Sequence, residues 1–283
     1  MSECFKADLH CHSHCSDGTA SPKEIIDLAI SLQLNGLSIT DHDTVDAYTE
    51  AIDYAKEKGL KLIPGVEFSC THRGESVHLL GYAFHHEHPL ILNFSNKHIE
   101  RRQNRAKEIL ALLHKHQIVL DAELLLKQNR FVGRPHIAKA MIDKGYVKDF
   151  KEAFRKYLGD NEPCYVPSNT FTVEETIDIL HQAGAVAVVA HPHLIKKRRI
   201  LSDLYEMEID GIEAYYGRMS ISQNRPFVAK AQELEIQITG GSDFHGEITP
   251  DRRLGSSWTP ERSFYDLYEL YQTNVQEWIS SST

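Results

Sequence analysis

The sequence predicts an α/β chain: a closed or nearly closed barrel of strand–helix units, with a helical subdomain inserted into it. Three observations point there. Short apolar runs alternate with capped amphipathic stretches in both halves of the chain. Between about residues 90 and 166 the alternation gives way to helical periodicity alone. Most of the apolar runs end in His, Asp or Glu, as expected of a barrel that gathers reactive groups at the carboxyl ends of its strands. With 283 residues, 41% hydrophobic and 25% charged, the chain can bury such a core without disulfide staples.

Taken in order, residues 5–10 read as the first strand. Ser21, Pro22 and Glu24 then supply an N-cap, a proline at the first helical position and a capping-box acid ahead of Ile25, Leu28, Ala29 and Leu32, and Gly36 closes that helix. Residues 36–40 form a second strand, and 45–58 a helix ended by Gly59. A third strand over 61–66 leads to Glu67, and a fourth spans 77–84. In the insert, Ile99, Ala106, Ile109, Leu110 and Leu113 recur at helical spacing, followed by helices near 121–128, 134–143 and 149–158. Beyond it, Thr172 and Glu175 cap a helix that Gly184 ends, and the small-residue strand 185–190 delivers His191. Strands over 211–216 and 235–239 complete the set. The chain thus divides into barrel (1–89), helical insertion (90–166) and barrel again (167–283), with parallel βαβ units implied by the alternation.

Composition narrows the function. A formal charge of −9 argues against nonspecific coating of nucleic acid, so no stable nucleic-acid complex is expected, although a local basic mouth for a phosphorylated substrate remains open. The cysteines, Cys4, Cys11, Cys15, Cys70 and Cys164, are odd in number and lack paired zinc spacing, which fits a reducing, cytoplasmic setting. No apolar run reaches the ~18 residues of a membrane span, and the N-terminal stretch has no secretory apolar region.

The strand ends carry the chemistry. His10 and His12 share one face of an extended strand and can grip one cation, while Cys11 faces into packing. Asp17 lies in a turn that can return its carboxylate over the strand end, though a plain turn aspartate would look the same. Glu67 would be costly to bury without a compensating cation, and its two oxygens can bridge two ions. His42, His78 and His191 stand at or near strand termini, where each singly reads as a hydrogen-bonded core histidine. Asp243 and His245 repeat the His10–His12 geometry at the far end of the chain.

Asp8-Leu9-His10-Cys11-His12-Ser13, Thr40-Asp41-His42-Asp43, Gly65-Val66-Glu67, His78-Leu79-Leu80-Gly81-Tyr82, Ala190-His191-Pro192 and Gly241-Ser242-Asp243-Phe244-His245 together resemble the polymerase-and-histidinol-phosphatase, or PHP, phosphoesterases. The resemblance implies a distorted (β/α)7 barrel holding three divalent ions. His10, His12, Glu67 and Asp243 would surround one, Glu67, His78 and His191 the second, and Asp17, His42 and His245 the third. Some relatives carry histidine at the Asp17 position; the carboxylate favours manganese over zinc or iron. A water shared by two ions about 3.5–4 Å apart would yield the hydroxide that attacks phosphorus in line. The insertion, with Gly133-Arg134-Pro135-His136, looks like the subgroup that dephosphorylates 3′,5′-bisphosphonucleosides and trims RNA from its 5′ end. Arg134 would then contact a substrate phosphate, and His136 or His193 would protonate the leaving oxygen. His193 shares a face with His191 only if the strand continues past Pro192. Arg101, Arg102 and Arg105 on one helical face, and the run Lys196 to Arg199, read by default as solvated surface. The expected partner is a phosphorylated nucleotide or short single-stranded RNA end. Rival readings are a histidinol-phosphate phosphatase, an amidohydrolase, a noncatalytic metal-binding module and a nucleic-acid binder without hydrolysis.

Overall fold

The computed structural model describes residues 5–128, 131–168 and 171–281, so Cys4 lies outside the described residues. In chain order the elements are β1 (Ala7–Asp8), α1 (Pro22–Ser31), β2 (Gly36–Leu37), α2 (Tyr48–Lys58), β3 (Lys61–Leu62), β4 (Gly65–His72) and β5 (Glu75–Tyr82). The helices α3 (Pro89–Lys115), α4 (Ala122–Gln128), α5 (Arg134–Asp143) and α6 (Phe150–Ala153) follow, the last running into a π turn. Next come β6 (Phe171–Thr172), α7 (Val173–Gln182), β7 (Val186–Val189), α8 (Arg198–Tyr205), β8 (Gly211–Tyr216), α9 (Ile221–Glu233), β9 (Gln237–Gly241) and α10 (Glu261–Ser281). The chain forms two compact units, Met1–Ser95 with Phe171–Thr283 and Asn96–Thr170, and the division falls within α3.

Local chemistry sets the element ends. Ser21 caps α1 and Thr172 caps α7 through reciprocal capping boxes with Glu24 and Glu175, and Gly59 ends α2 in the left-handed conformation. Helix α1 stops earlier than Gly36: Gln33 takes the left-handed turn, and Gly36 belongs to β2. The third predicted strand is split, because Pro64 has no N–H to continue a ladder; β3 pairs with β2, and β4 enters a different sheet.

Continuous ladders give two sheets in the larger unit. One is parallel, β1-β2-β3; the other is mixed, in the order β6-β4-β5-β7-β8-β9. Uniformly parallel pairing fails at β4 and β5, which the two residues Arg73 and Gly74, both at positive φ, join as an antiparallel hairpin. Isolated parallel bridges, Cys11 with Phe244 and His42 with Glu67, link the two sheets; the described ladders are not continuous around a closed barrel. Strand alternation feeds two cores. Leu79 and Val189 pack with Ile25, Tyr48 and Phe68, whereas neighbouring Leu80 and Val188 pack with Leu9, Ile63 and Phe264. The helical unit has its own core around Leu113, Ile137, Met141 and Leu158. Among the described residues, no helix is long and apolar enough to cross a membrane.

Candidate metal centre

The loops after β1 and β9 lie side by side. His12 N–H donates to Phe244 O at 2.8 Å and Asp243 N–H to His10 O at 2.7 Å. This approach requires Gly241, whose added Cβ would stand 2.4 Å from the His10 Cβ. Gly18 is needed in the same way, since a Cβ there would lie 2.2 Å from His12 O, in the turn that brings Asp17 back over the strand end. Asp243 at φ +54° and His191 at φ +27° hold left-handed backbone conformations that L-residues seldom adopt, a sign of a geometry imposed by its surroundings.

Glu67, 1% exposed, stands at the middle of this arrangement. Its Oε1 meets His78 Nδ1 at 2.7 Å and His191 Nε2 at 2.8 Å. Its Oε2 meets His10 Nε2 and His12 Nε2 at 3.2 Å and His42 Nδ1 at 3.3 Å. Asp243 Oδ1 lies 3.6 Å from His10 Nε2 and 3.3 Å from His12 Nε2. On the other side, Asp17 Oδ1 is 3.4 Å from His245 Nε2, and its Oδ2 is 3.9 Å from His42 Nε2. The nine side chains expected to be ligands are therefore neighbours. The sets overlap more than expected: His12 also joins Asp17, His42 and His245, and His42 also joins Glu67 and His78.

The donor set fits cations. Burial alone would raise the carboxyls of Glu67, Asp243 and Asp17, yet the surrounding imidazoles hold all three well below the usual carboxylate range. Burial opposes protonation of His12, but Asp243, Glu67 and Asp17 push it up to about 10, while burial pushes His42 down to about 4. His12 Nδ1 is buried without a hydrogen bond. Ionised acids facing imidazole nitrogens across such short gaps make sites whose filling would displace protons.

Several supporting residues escaped the sequence reading. Glu213, fully buried on β8, accepts from His10 Nδ1 at 2.7 Å and from His191 N–H at 2.6 Å, fixing both histidines. Asp8 accepts the backbone N–H groups of His10, Ser242 and Gly255. Asp41 accepts from Ser13 and Ser16. Tyr216 Oη donates to Asp243 Oδ2 at 2.7 Å, and Arg252 Nη1 donates to the same oxygen, which leaves Oδ1 directed at the histidines. A single acid inside the apolar run of β8 was the one available sign of Glu213.

The three remaining candidates are placed differently. The strand does not continue past Pro192; a 3-10 turn over Pro192–Leu194 removes the shared face that paired His193 with His191. His193 instead packs on Tyr216 and Phe227, and burial lowers its pKa. In the helical unit, His136 Nδ1 accepts from Gly133 N–H at 3.2 Å. Arg134 donates to Leu158 O at 3.1 Å and to the exposed Asp160 at 2.9 Å. Arg105, on α3, is pushed down to about 10 by burial and by the neighbouring Arg134 and Arg102. Cys11, Cys15, Cys70 and Cys164 are free thiols.

A family model described as the PHP domain matches residues 8–164. The 5′-3′ exoribonuclease Rnm of Escherichia coli K12 is 34% identical over 95% of this chain and 96% of its own length. A 3′,5′-nucleoside bisphosphate phosphatase of Chromobacterium violaceum is 31% identical over 88% of this chain and 90% of its own. A solved structure from Bifidobacterium adolescentis, assigned to the metal-dependent phosphoesterases, superposes with a TM-score of 0.84 at 28% identity, covering 94% of this chain and 96% of that one. Together with a buried cage of ionised acids and imidazoles, these likenesses place the chain in the PHP family, as a metal-dependent phosphoesterase and thus a hydrolase acting on ester bonds.

Proposed function

We propose that this phosphoesterase acts on nucleotides, removing the 3′-phosphate of 3′,5′-bisphosphonucleosides and also trimming 5′-phosphorylated short RNA ends. The observation that carries the substrate class is the group of three guanidinium side chains, Arg102, Arg105 and Arg134, close enough that, with burial, Arg134 and Arg102 lower the basicity of Arg105. Like charges held together in partial burial are stabilised by a bound anion, and a planar guanidinium suits phosphate oxygens. The two relatives named for nucleotide and RNA chemistry span nearly the whole chain and support the same class.

Nine residues would hold the divalent ions: His10, His12, Asp17, His42, Glu67, His78, His191, Asp243 and His245. We take three ions, with manganese preferred to zinc or iron because Asp17 supplies a hard carboxylate where some relatives carry histidine. When bound, such ions activate water near neutral pH and neutralise developing phosphoryl charge. The chain's own part is positional. Glu67 presents one oxygen to His78 and His191 and the other to His10, His12 and His42, the arrangement of a bridging carboxylate. Arg134 is assigned to a substrate phosphate, and either His136 or His193 to proton delivery at the leaving oxygen.

Release of inorganic phosphate from a panel tests this reading. The expected order is 3′,5′-bisphosphoadenosine above a nucleoside monophosphate, and both far above histidinol phosphate, with all turnover lost to a chelator. A preference for histidinol phosphate would overturn the substrate assignment.

A further inference from the structure

The geometry points to a nucleobase pocket beside the metal centre, bounded by Tyr215, Tyr216, Met219, Ile221, Asn224 and Trp258; this rests on the nucleotide reading above. The cavity measures about 520 Å³, within the range of small-molecule sites, and its described lining carries no charged side chain. That composition suits a flat neutral ring and not a phosphate or a metal ion.

Tyr216 ties the cavity to the chemistry. Its hydroxyl donates to Asp243 Oδ2 at 2.7 Å while the same residue lines the cavity, so one phenol ring separates the cavity from a cation ligand. A nucleotide separates base from phosphate by a single sugar ring, a comparable span. The rim is unusually apolar for a surface: Ile221 is 81% exposed and Trp258 is 37% exposed, and a stacked base would cover both. Lys6 Nζ sits 4.9 Å from the Trp258 ring centroid but is not part of the cavity's lining. Asn224, only 6% exposed, lines the cavity and holds the His193 imidazole beside it.

The test uses the chain's two tryptophans. In the metal-loaded Trp278→Phe protein, Trp258 is the reporter, and adenosine, which has no phosphate to hydrolyse, is the probe. Saturable quenching by adenosine is expected. In Trp258→Ala, the preference for 3′,5′-bisphosphoadenosine over ribose 5-phosphate should fall roughly tenfold or more through KM, as loss of a base–aromatic stack demands. Ile221→Ser, at an exposed rim position, serves if Trp258→Ala does not fold. An unchanged preference in the folded variants overturns the pocket while leaving the nucleotide reading intact, as does equal loss on both substrates. Wild-type protein that turns over ribose 5-phosphate but no nucleotide refutes the nucleotide reading instead; adenosine quenching then retains the pocket, and its absence refutes that too.

Discussion

At the scale of single residues, the chemistry turns on acids that are buried and kept ionised. Glu67 is the centre, but its histidine partners are only as well placed as the groups behind them. Glu213 binds the far side of His10 and the backbone of His191, and so sets which His10 nitrogen faces Glu67. Glu213→Gln should therefore weaken divalent-ion affinity by roughly 10- to 100-fold while the fold persists, as titration calorimetry and circular dichroism would show. Unchanged affinity would make Glu213 a simple packing residue. Eight of the nine candidate ligands were legible in the sequence because each is a metal-liking side chain at or near a predicted strand end, whereas Asp17 stands in a turn and was singled out by the family resemblance. Asp8, Asp41 and Tyr216 were not legible, because their roles come from contacts between segments far apart in the chain, as in Ser242 N–H to Asp8 at 3.0 Å.

At the scale of elements, caps and glycines were readable and pairing was not. The boxes at Ser21 and Thr172 depend on residues three apart, so local sequence carries them. The antiparallel insertion of β5 between β4 and β7 depends on a two-residue turn, Arg73-Gly74, whose form the alternation of strands and helices does not reveal. The turn between β5 and α3 supports a prediction of its own. His85 stacks on Trp278 at 4.7 Å, and His85, His86 and His88 all have pKa values lowered, chiefly by burial. A histidine whose folded pKa is depressed binds fewer protons folded than unfolded, so its contribution to stability is lost as pH falls through the unfolded value near 6.5. Replacing all three by glutamine should give a shallower loss of stability between pH 7 and pH 5 in chemical denaturation. A steeper loss would contradict the sign.

At the scale of the whole molecule, one function is assembled from segments spread from residue 10 to residue 245. The PHP resemblance was readable from those segments together, since each is weak alone. The proposed phosphate-binding patch was less readable, because Arg102, Arg105 and Arg134 come together only when α3 packs on α5, and the run of arginines looks like solvated surface in the sequence. The net charge of −9 makes this patch stand out against an acidic background.

The bridging role of Glu67 is tested most directly by measuring metal content and phosphate release together in wild type and Glu67→Gln. The wild type should retain more than one divalent ion per chain and hydrolyse a nucleotide. The folded variant should lose at least one ion, with turnover down roughly 100-fold or more. A variant that keeps both its full ion content and its turnover would contradict a centre built on Glu67.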